Sequence, residues 1–212
     1  MWGEKMDYFI IIALSYVIGS IPNGLIVGKI AKGVDIRQFG SKNIGATNVY
    51  RVLGPWPAFG VLITDIAKGV AGVYIGKALL GTPPAALLGG IAAIAGHNWS
   101  LFLGFKGGRG VATALGVIAV LMPKVTAIVF VVWAVIVFLT RYVSLGSIIA
   151  AAIAPPLIWL FGERLEYLYF GLVAAAFVIV RHRPNIERLL KGQELKIKAG
   201  SALPENKDSD KP

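Results

Sequence analysis

The sequence predicts an all-α integral membrane protein with seven transmembrane helices, an external N-terminus and a cytoplasmic C-terminus. Three observations support this fold class. Of the 212 residues, 56% are hydrophobic and only 15% are charged, whereas a soluble globular domain has roughly 25% charged residues. The apolar residues form long runs, and the mean hydropathy is +0.72. The cations lie mostly between these runs, in alternate connections.

Seven apolar runs are candidates to cross the bilayer, because a helix that spans the hydrocarbon core needs about 20 apolar residues. They cover residues 8–30, 56–80, 85–103, 111–122, 125–140, 143–161 and 165–180. The fourth run is short, so the third and fourth form either two crossings or one re-entrant pair. The first run follows Glu4 and Asp7 with only Lys5 beside them, which indicates a retained helix and not a signal peptide.

The distribution of cations predicts the orientation. If the runs alternate, one side of the membrane collects Lys29, Lys32, Arg37, Lys42, Arg51, Lys106, Arg109, Arg141, Arg181, Arg183, Arg188, Lys191, Lys196 and Lys198. The other side holds Lys5, Lys77, Lys124 and Arg164. Cation-rich connections stay in the cytoplasm, and the resulting orientation requires an odd number of crossings. The net charge of +10 is thus an orientation signal, and no nucleic-acid partner is expected, since that would require a soluble basic surface.

The chain is expected to form one membrane domain over residues 1–199. Residues 200–212 are rich in Ser, Pro, Asp and Lys, which predicts a disordered tail or a cloning remnant. There is no cysteine and there are only two histidines, which excludes disulfides, thiolate metal sites and histidine-rich metal sites. We expect neither a metal nor a cofactor.

Two glycine-rich stretches favour phosphate binding. Residues 105–113 (FKGGRGVAT) present backbone N–H groups together with Lys106 and Arg109, next to the start of a predicted helix, where the helix dipole is positive. The spacing is not that of a Walker A loop, so nucleotide hydrolysis is not expected. Residues 40–51 (GSKNIGATNVYR) supply small hydroxyls, amides and the guanidinium of Arg51, which can hold phosphate at two points. Each stretch alone also fits an ordinary cationic connection.

Other polar residues lie at or within the apolar runs. Ser144 and Ser147 can share a helix face, for substrate or for close helix packing. His182 stands between two arginines, either beside a phosphate or at an ordinary membrane exit, and His97 is either functional or structural. Asp65 and Lys68 lie three residues apart inside the second run. Because intramembrane charges usually pair or serve function, we expect an ion pair, with a role in a proton or substrate path as the alternative.

The four polar loop and helix-end elements, at 40–51, 96–110, 141–147 and 181–188, all fall on the predicted cytoplasmic face. A transporter would be expected to place polar groups near the midplane and on both faces. Clustering on one face favours an enzyme whose substrates meet at the inner leaflet, with a transporter or exchanger of a phosphorylated metabolite as the alternative.

Taken together, the motifs GSxNxGATN (40–48), GH (96–97), FKGGxGVAT (105–113), RYVSL (141–145) and RHRxN (181–185) closely resemble the bacterial acyl-phosphate-dependent glycerol-3-phosphate acyltransferases, over residues 8–194. The resemblance implies a seven-helix enzyme of the bacterial inner (plasma) membrane with cytoplasmic active-site loops. It also implies that a fatty acyl group moves from acyl phosphate to the 1-hydroxyl of sn-glycerol 3-phosphate. The products are lysophosphatidic acid and phosphate, in the first step of phospholipid synthesis. An upstream enzyme that forms acyl phosphate would then be a partner, along with the lipid bilayer.

The resemblance also implies the site residues. It places the catalytic group at Ser41, Arg51, Arg109, Ser147, His182 and Asn185. We expect substrate binding by Asn43, Gly45, Thr47, Asn48, His97, Lys106, Gly107, Gly108 and Gly110. Arg109 stands where the family more often has lysine, and Ser100 where relatives often have proline.

An acyl phosphate is a reactive mixed anhydride, so positioning and electrostatics can supply most of the catalysis. The sequence shows no Ser–His–Asp order and no thiol, which gives no support for a covalent acyl-enzyme. Either His182 or a phosphate oxygen of a substrate takes the hydroxyl proton. The preferred acyl-chain length and the oligomeric state do not follow from the sequence.

Overall fold

A computed structural model describes residues 2–198, which form helices and connections without a β-strand. The expected tail at 200–212 lies outside the described residues. The helices are α1 (Trp2–Ser20), α2 (Asn23–Lys32), α3 (Ala46–Leu53), α4 (Pro55–Leu80), α5 (Pro83–Asn98), α6 (Val111–Leu121), α7 (Pro123–Thr140), α8 (Val143–Leu160), α9 (Leu165–Arg181) and α10 (Arg183–Leu190). Single 3-10 turns lie at Ile36–Gln38 and Leu101–Leu103.

The helices confirm an all-α membrane protein. Within the described residues, five segments are long and apolar enough to cross a bilayer: Gly3–Lys32, Pro55–Leu80, Pro83–Leu103, Pro123–Thr140 and Val143–Leu160. The pair α9 and α10, bent by 56°, gives a sixth if it is one span, and α6 is a shorter apolar helix. Every predicted run therefore carries a helix, while the count of seven crossings and the orientation stay predictions.

Glycines allow α4 to pack against its neighbours backbone to backbone. A Cβ atom on Gly72 would clash with the carbonyl of Gly89 in α5, and one on Gly69 would clash with the carbonyl of Thr113 in α6. The hydrophobic effect does not drive helices together in lipid. Small residues at such crossings instead allow the close van der Waals contact that stabilises helix association there. The α4 helix is thereby held against α6, which follows the glycine-rich turn at residues 105–110.

The first predicted span is broken at Ile21–Pro22, between α1 and α2. Proline at position 22 has no N–H to donate, and the carbonyl oxygen of Ile21 accepts a hydrogen bond from Lys68 Nζ at 2.5 Å. Lys68 Nζ also lies 2.7 Å from Asp65 Oδ1, with both side chains at most 4% exposed. Asn23 Nδ2 donates to the same carboxylate at 3.1 Å. This confirms the predicted ion pair and shows that it joins α4 to the break.

The first polar connection is held in place by a small apolar core of its own. Ile36, Ile44, Val49, Val52 and Val61 are buried together. They come from the 3-10 turn, the glycine-rich loop, α3 and the beginning of α4. The segment 40–51 is thus anchored by an apolar core of its own.

Candidate active site

A cavity of about 270 Å³ brings the predicted polar elements together. Its polar wall comes from the first loop, the end of α5, the glycine-rich turn and the helix ends at α8 and α9–α10. Among the predicted site residues, those that line it are Ser41, Asn43, Gly45, Thr47, Asn48, Arg51, His97, Arg109, Gly110, Ser147, His182 and Asn185. Lys106, Gly107 and Gly108 do not line it.

The N-terminal ends of α3, α6 and α8 lie at this cavity. Residues of the first turn line it in α3 (Ala46, Thr47), in α6 (Val111, Ala112) and in α8 (Val143, Ser144). The first backbone N–H groups of a helix have no partner within the helix, and the helix dipole adds partial positive charge there. Three such ends around one cavity make a binding place for anions.

Two arginines, Arg51 buried and Arg109 half-buried, add full positive charge. Arg51 is 6% exposed; its Nη2 donates to the carbonyl oxygen of Leu195 at 2.7 Å, and its Nε has no partner. Burial lowers the pKa of Arg51. For Arg109, burial, opposed by the charge of Glu194 and reinforced by nearby arginines, lowers the pKa to about 10. Within residues 2–198, no hydrogen bond or ion pair is seen for Arg109, so its guanidinium is available to an anionic ligand.

Asn48 organises the first loop from within. Its Nδ2 lies 2.9 Å from the carbonyl oxygens of both Ile36 and Asn43, and its Oδ1 accepts from the backbone N–H of Ser41 at 2.8 Å. Its amide is therefore occupied by the loop, and the predicted binding role of Asn48 stays a prediction. Asn43 Oδ1 accepts from the N–H of Gly45 at 2.8 Å, which shapes the start of α3. No side-chain hydrogen bond is seen for Ser41 or Thr47 in the described chain, and both residues line the cavity.

The glycine-rich turn lies across the end of α5. The N–H groups of Gly107 and Gly108 donate to the carbonyl oxygens of Asn98 and His97, at 3.1 and 3.0 Å. Arg181 Nη2 donates to the carbonyl oxygen of Gly108 at 2.6 Å. A Cβ atom on either glycine would clash with α5, so glycine is needed here for close approach. The turn thus delivers Arg109 and Gly110 to the cavity, whereas Lys106 is exposed outside it; the binding role of Lys106, Gly107 and Gly108 stays a prediction.

The two histidines differ in their partners. His182 is 2% exposed, and its Nδ1 lies 2.8 Å from the carbonyl oxygen of Val178. His97 is 4% exposed, its Nδ1 has no hydrogen-bond partner, and the same atom lies 3.8 Å from Asp65 Oδ1. Asp65 also lines the cavity, so the buried ion pair reaches the site wall through its carboxylate.

Glu194 is a site residue that the sequence did not reveal. Its Oε1 accepts from Ser144 Oγ at 2.8 Å and from Asn185 Nδ2 at 2.6 Å, and its Oε2 accepts from Arg188 Nε at 2.7 Å. Burial raises the pKa of this carboxyl, but these hydrogen bonds outweigh burial, and the pKa lies below its usual value. A possible signal was that it is the one carboxylate among the cations of the segment 191–198.

Ser144 and Ser147 share a face of α8, as predicted, and both line the cavity. Ser147 Oγ donates to the carbonyl oxygen of Val143 at 2.9 Å, the back-bond that serine commonly makes inside a helix. The two serines therefore join the end of α8 to the polar wall.

Away from the polar wall, the cavity continues between the helices and becomes apolar. Side chains from α4, α6, α7, α8 and α9 line this part, among them Leu62, Leu115, Val129, Trp133, Ala154 and Phe170. An alkyl chain is stabilised in such surroundings by roughly 0.8 kcal/mol per buried CH₂. The cavity as a whole is thus suited to an amphipathic molecule with an anionic head.

Comparison with known proteins agrees with this chemistry. The family model described as glycerol-3-phosphate acyltransferase matches residues 9–192. The chain belongs to the glycerol-3-phosphate acyltransferase family. A glycerol-3-phosphate acyltransferase from Desulforudis audaxviator is 48% identical over 191 residues, which are 90% of this chain and 96% of the relative. Glycerol-3-phosphate acyltransferase 2 from Moorella thermoacetica is 48% identical over 190 residues, 90% of this chain and 97% of the relative.

Solved structures of this acyltransferase family share the fold. The glycerol 3-phosphate form of PlsY (YgiH), an integral membrane glycerol 3-phosphate acyltransferase, is 40% identical with a TM-score of 0.85, covering 90% of this chain and 96% of that one. The lysophosphatidic acid form is 39% identical with a TM-score of 0.82, covering 89% and 94%. Membership of this acyltransferase family thus agrees with the resemblance seen in the sequence motifs.

Proposed function

We propose that this chain, as a membrane glycerol-3-phosphate acyltransferase, takes its acyl group from a fatty acyl phosphate and places it on the 1-hydroxyl of sn-glycerol 3-phosphate. The products are lysophosphatidic acid and inorganic phosphate. The observation that carries the proposal is the continuity of the cavity from Arg51 and Arg109 to the apolar lining between the helices. An acyl phosphate has the same division, with an anionic head and a long apolar tail. Membership of the family supports the acceptor.

The polar wall has the groups needed for two phosphates. The arginines supply charged donors, and the N-termini of α3, α6 and α8 supply backbone N–H groups. The hydroxyls of Ser41, Thr47 and Ser147 add neutral partners. We assign Arg51 and Arg109 to phosphate binding, and we expect one helix N-terminus to stabilise the oxyanion that forms as the carbonyl is attacked.

The reaction is a direct transfer between the two bound substrates. The 1-hydroxyl oxygen attacks the carbonyl carbon, a carbon–oxygen bond forms, and the bond from that carbon to the phosphate oxygen breaks. The phosphate leaves with the bonding electrons. His182 or a phosphate oxygen takes the hydroxyl proton, and the enzyme supplies mainly orientation and a positive field. No cofactor or metal is needed, because the anhydride is already activated.

We further propose seven crossings, with the N-terminus outside and the active site at the cytoplasmic face of the bacterial inner membrane. The cation distribution supports this orientation, and the short α6 is then the seventh span. At that face the enzyme meets glycerol 3-phosphate from the cytoplasm and acyl phosphate from an upstream enzyme that forms it.

Purified protein in detergent tests the proposal against the transporter alternative. With acyl phosphate and glycerol 3-phosphate present, we expect lysophosphatidic acid and free phosphate without any sealed compartment. The same assay with acyl-CoA as donor is expected to give little product. Uptake of a phosphorylated metabolite by sealed vesicles, with no acyl transfer in detergent, would contradict the proposal and support a transporter.

A further inference from the structure

Asn185 and Glu194 face each other in the wall of the cavity. Asn185 Nδ2 donates to Glu194 Oε1 at 2.6 Å, and the two residues are 2% and 8% exposed. An ionised carboxylate can only accept hydrogen bonds, whereas an asparagine amide has a donor end and an acceptor end. The bond to Glu194 therefore fixes which way the amide of Asn185 points.

The other end of that amide is left without a partner. Asn185 Oδ1 is buried and makes no hydrogen bond within the described part of the chain. A buried carbonyl oxygen without a donor is unfavourable, and because Asn185 lines the cavity, a bound ligand can supply that donor. Arg51, Arg109 and the helix N–H groups are donors suited to phosphate. A neutral acceptor among them is suited to a hydroxyl group.

Glu194 is itself held firmly in place. Ser144 Oγ donates to Oε1 at 2.8 Å, and Arg188 Nε donates to Oε2 at 2.7 Å. The residue that follows, Leu195, accepts from Arg51, and the N–H of Ile197 donates to the carbonyl oxygen of Arg141 at 2.8 Å. Residues of α8 and α10 thus fix the carboxylate. Its own segment is anchored by Arg51 in α3 and by Arg141 at the end of α7.

We infer that Glu194 is a positioning residue that holds the carbonyl oxygen of Asn185 toward the cavity, where it accepts a hydrogen bond from a hydroxyl of glycerol 3-phosphate. The inference rests on the proposed function and deepens it, because it assigns the recognition of the alcohol to one acceptor atom. The arginines bind any phosphate, and the pair formed by Asn185 and Glu194 selects a phosphate that carries a hydroxyl.

The variant Glu194→Gln tests this role with little change in size. Donors from Ser144, Asn185 and Arg188 surround the side chain, so the new amide NH₂ must face one of them. When it faces Asn185, that amide turns and its oxygen leaves the cavity. We expect the KM for glycerol 3-phosphate to rise about tenfold, the effect of one lost hydrogen bond in a site. The KM for acyl phosphate should change little.

The measurement that separates positioning from general structure is the ratio of two dissociation constants. Propyl phosphate lacks both hydroxyls of glycerol 3-phosphate, so the ratio of its dissociation constant to that of glycerol 3-phosphate reports hydroxyl recognition. We expect Glu194→Gln and Asn185→Ala to lower this ratio equally, and the double variant to lower it no further. Glu187→Gln is the matched control, since Glu187 lies on α10 with its side chain 56% exposed, and it should retain the wild-type ratio.

Glu194→Asp keeps an acceptor-only side chain and covers the case in which Glu194→Gln does not fold. It should retain the preference for glycerol 3-phosphate, and a folded Glu194→Asp protein that has lost it would contradict the inference. An unchanged ratio in both Glu194→Gln and Asn185→Ala, or independent effects of the two substitutions, would also overturn it. A wild-type protein that makes no lysophosphatidic acid would instead overturn the proposed function.

Discussion

His182 Nδ1 lies 2.8 Å from the carbonyl oxygen of Val178, one turn earlier in α9. A carbonyl oxygen only accepts, so Nδ1 carries the hydrogen and Nε2 carries the lone pair of the neutral ring. His182 lines the cavity, and its Nε2 has no hydrogen-bond partner in the part of the chain that the structure describes. The helix backbone thus leaves Nε2 as the free acceptor of the ring, which the proposed role of His182 as the proton acceptor requires.

Replacement of His182 by alanine tests the proton acceptor. If the imidazole takes the hydroxyl proton, kcat should fall about 100-fold, because general base catalysis typically contributes that much or more. The KM values should change less. Initial rates at saturating substrate measure the effect, and thermal unfolding in detergent confirms that the variant is folded. Near-normal turnover with only a higher KM would exclude His182 as the base and leave the substrate phosphate.

Replacement of Arg109 by alanine should lower kcat/KM about 100-fold, because a charge-assisted hydrogen bond to phosphate is lost. Arg109→Lys should recover part of this loss through its charge, but not the planar, two-point contact of the guanidinium. Lys106→Ala, outside the cavity wall, should cost less than Arg109→Ala. An equal or larger loss in the Lys106 variant would show that the turn contacts the substrate through Lys106 and not through Arg109.

The pH dependence of glycerol 3-phosphate binding should also depend on Arg109. Burial lowers its pKa to about 10, so the cation is present below that pH, and its contribution to anion binding is lost as the pH rises through that value. Lysine has a lower ordinary pKa than arginine and meets the same burial. In Arg109→Lys the alkaline loss of binding should therefore begin at a lower pH. Titration of the dissociation constant between neutral pH and the alkaline limit measures it, and identical profiles would contradict this role.

The buried pair of Asp65 and Lys68 offers a test of stability. Lys68→Met leaves the carboxylate uncompensated, and Asp65→Asn leaves the ammonium uncompensated. Breaking a buried pair from one side costs about 3–5 kcal/mol. The double variant Asp65→Asn/Lys68→Met removes both charges and should be more stable than either single variant. Thermal unfolding in detergent gives the comparison, and strictly additive losses would mean that the two charges do not stabilise each other.

The sequence was most informative about polar residues whose chemical type and position in the chain both indicate a role. The serines, asparagines and arginines predicted as site residues line one cavity, and the ion pair between Asp65 and Lys68 forms as predicted from its spacing. These features depend on local sequence and on the cost of charge in lipid. The break at Ile21–Pro22 was not foreseen, because the apolar run continues through it.

The role of Glu194 could not be predicted, since it depends on the path of the segment 191–198 back to Arg51 and Ser144. The sequence of that segment has no helical period to indicate such a path. The internal use of the Asn48 amide was equally hidden, because an exposed and an inward-turned asparagine look the same in a loop sequence. The position of Glu194 and the inward direction of the Asn48 amide both depend on tertiary contacts.

The most direct test of direct acyl transfer from acyl phosphate measures the release of phosphate from acyl phosphate by the purified protein, with and without glycerol 3-phosphate. We expect sustained release to require glycerol 3-phosphate, and each phosphate to be matched by one lysophosphatidic acid. We expect no burst of phosphate when glycerol 3-phosphate is absent. A burst of phosphate equal to the amount of protein, in the absence of glycerol 3-phosphate, would show a covalent acyl-enzyme and contradict direct transfer. No release under either condition would contradict acyl phosphate as the donor.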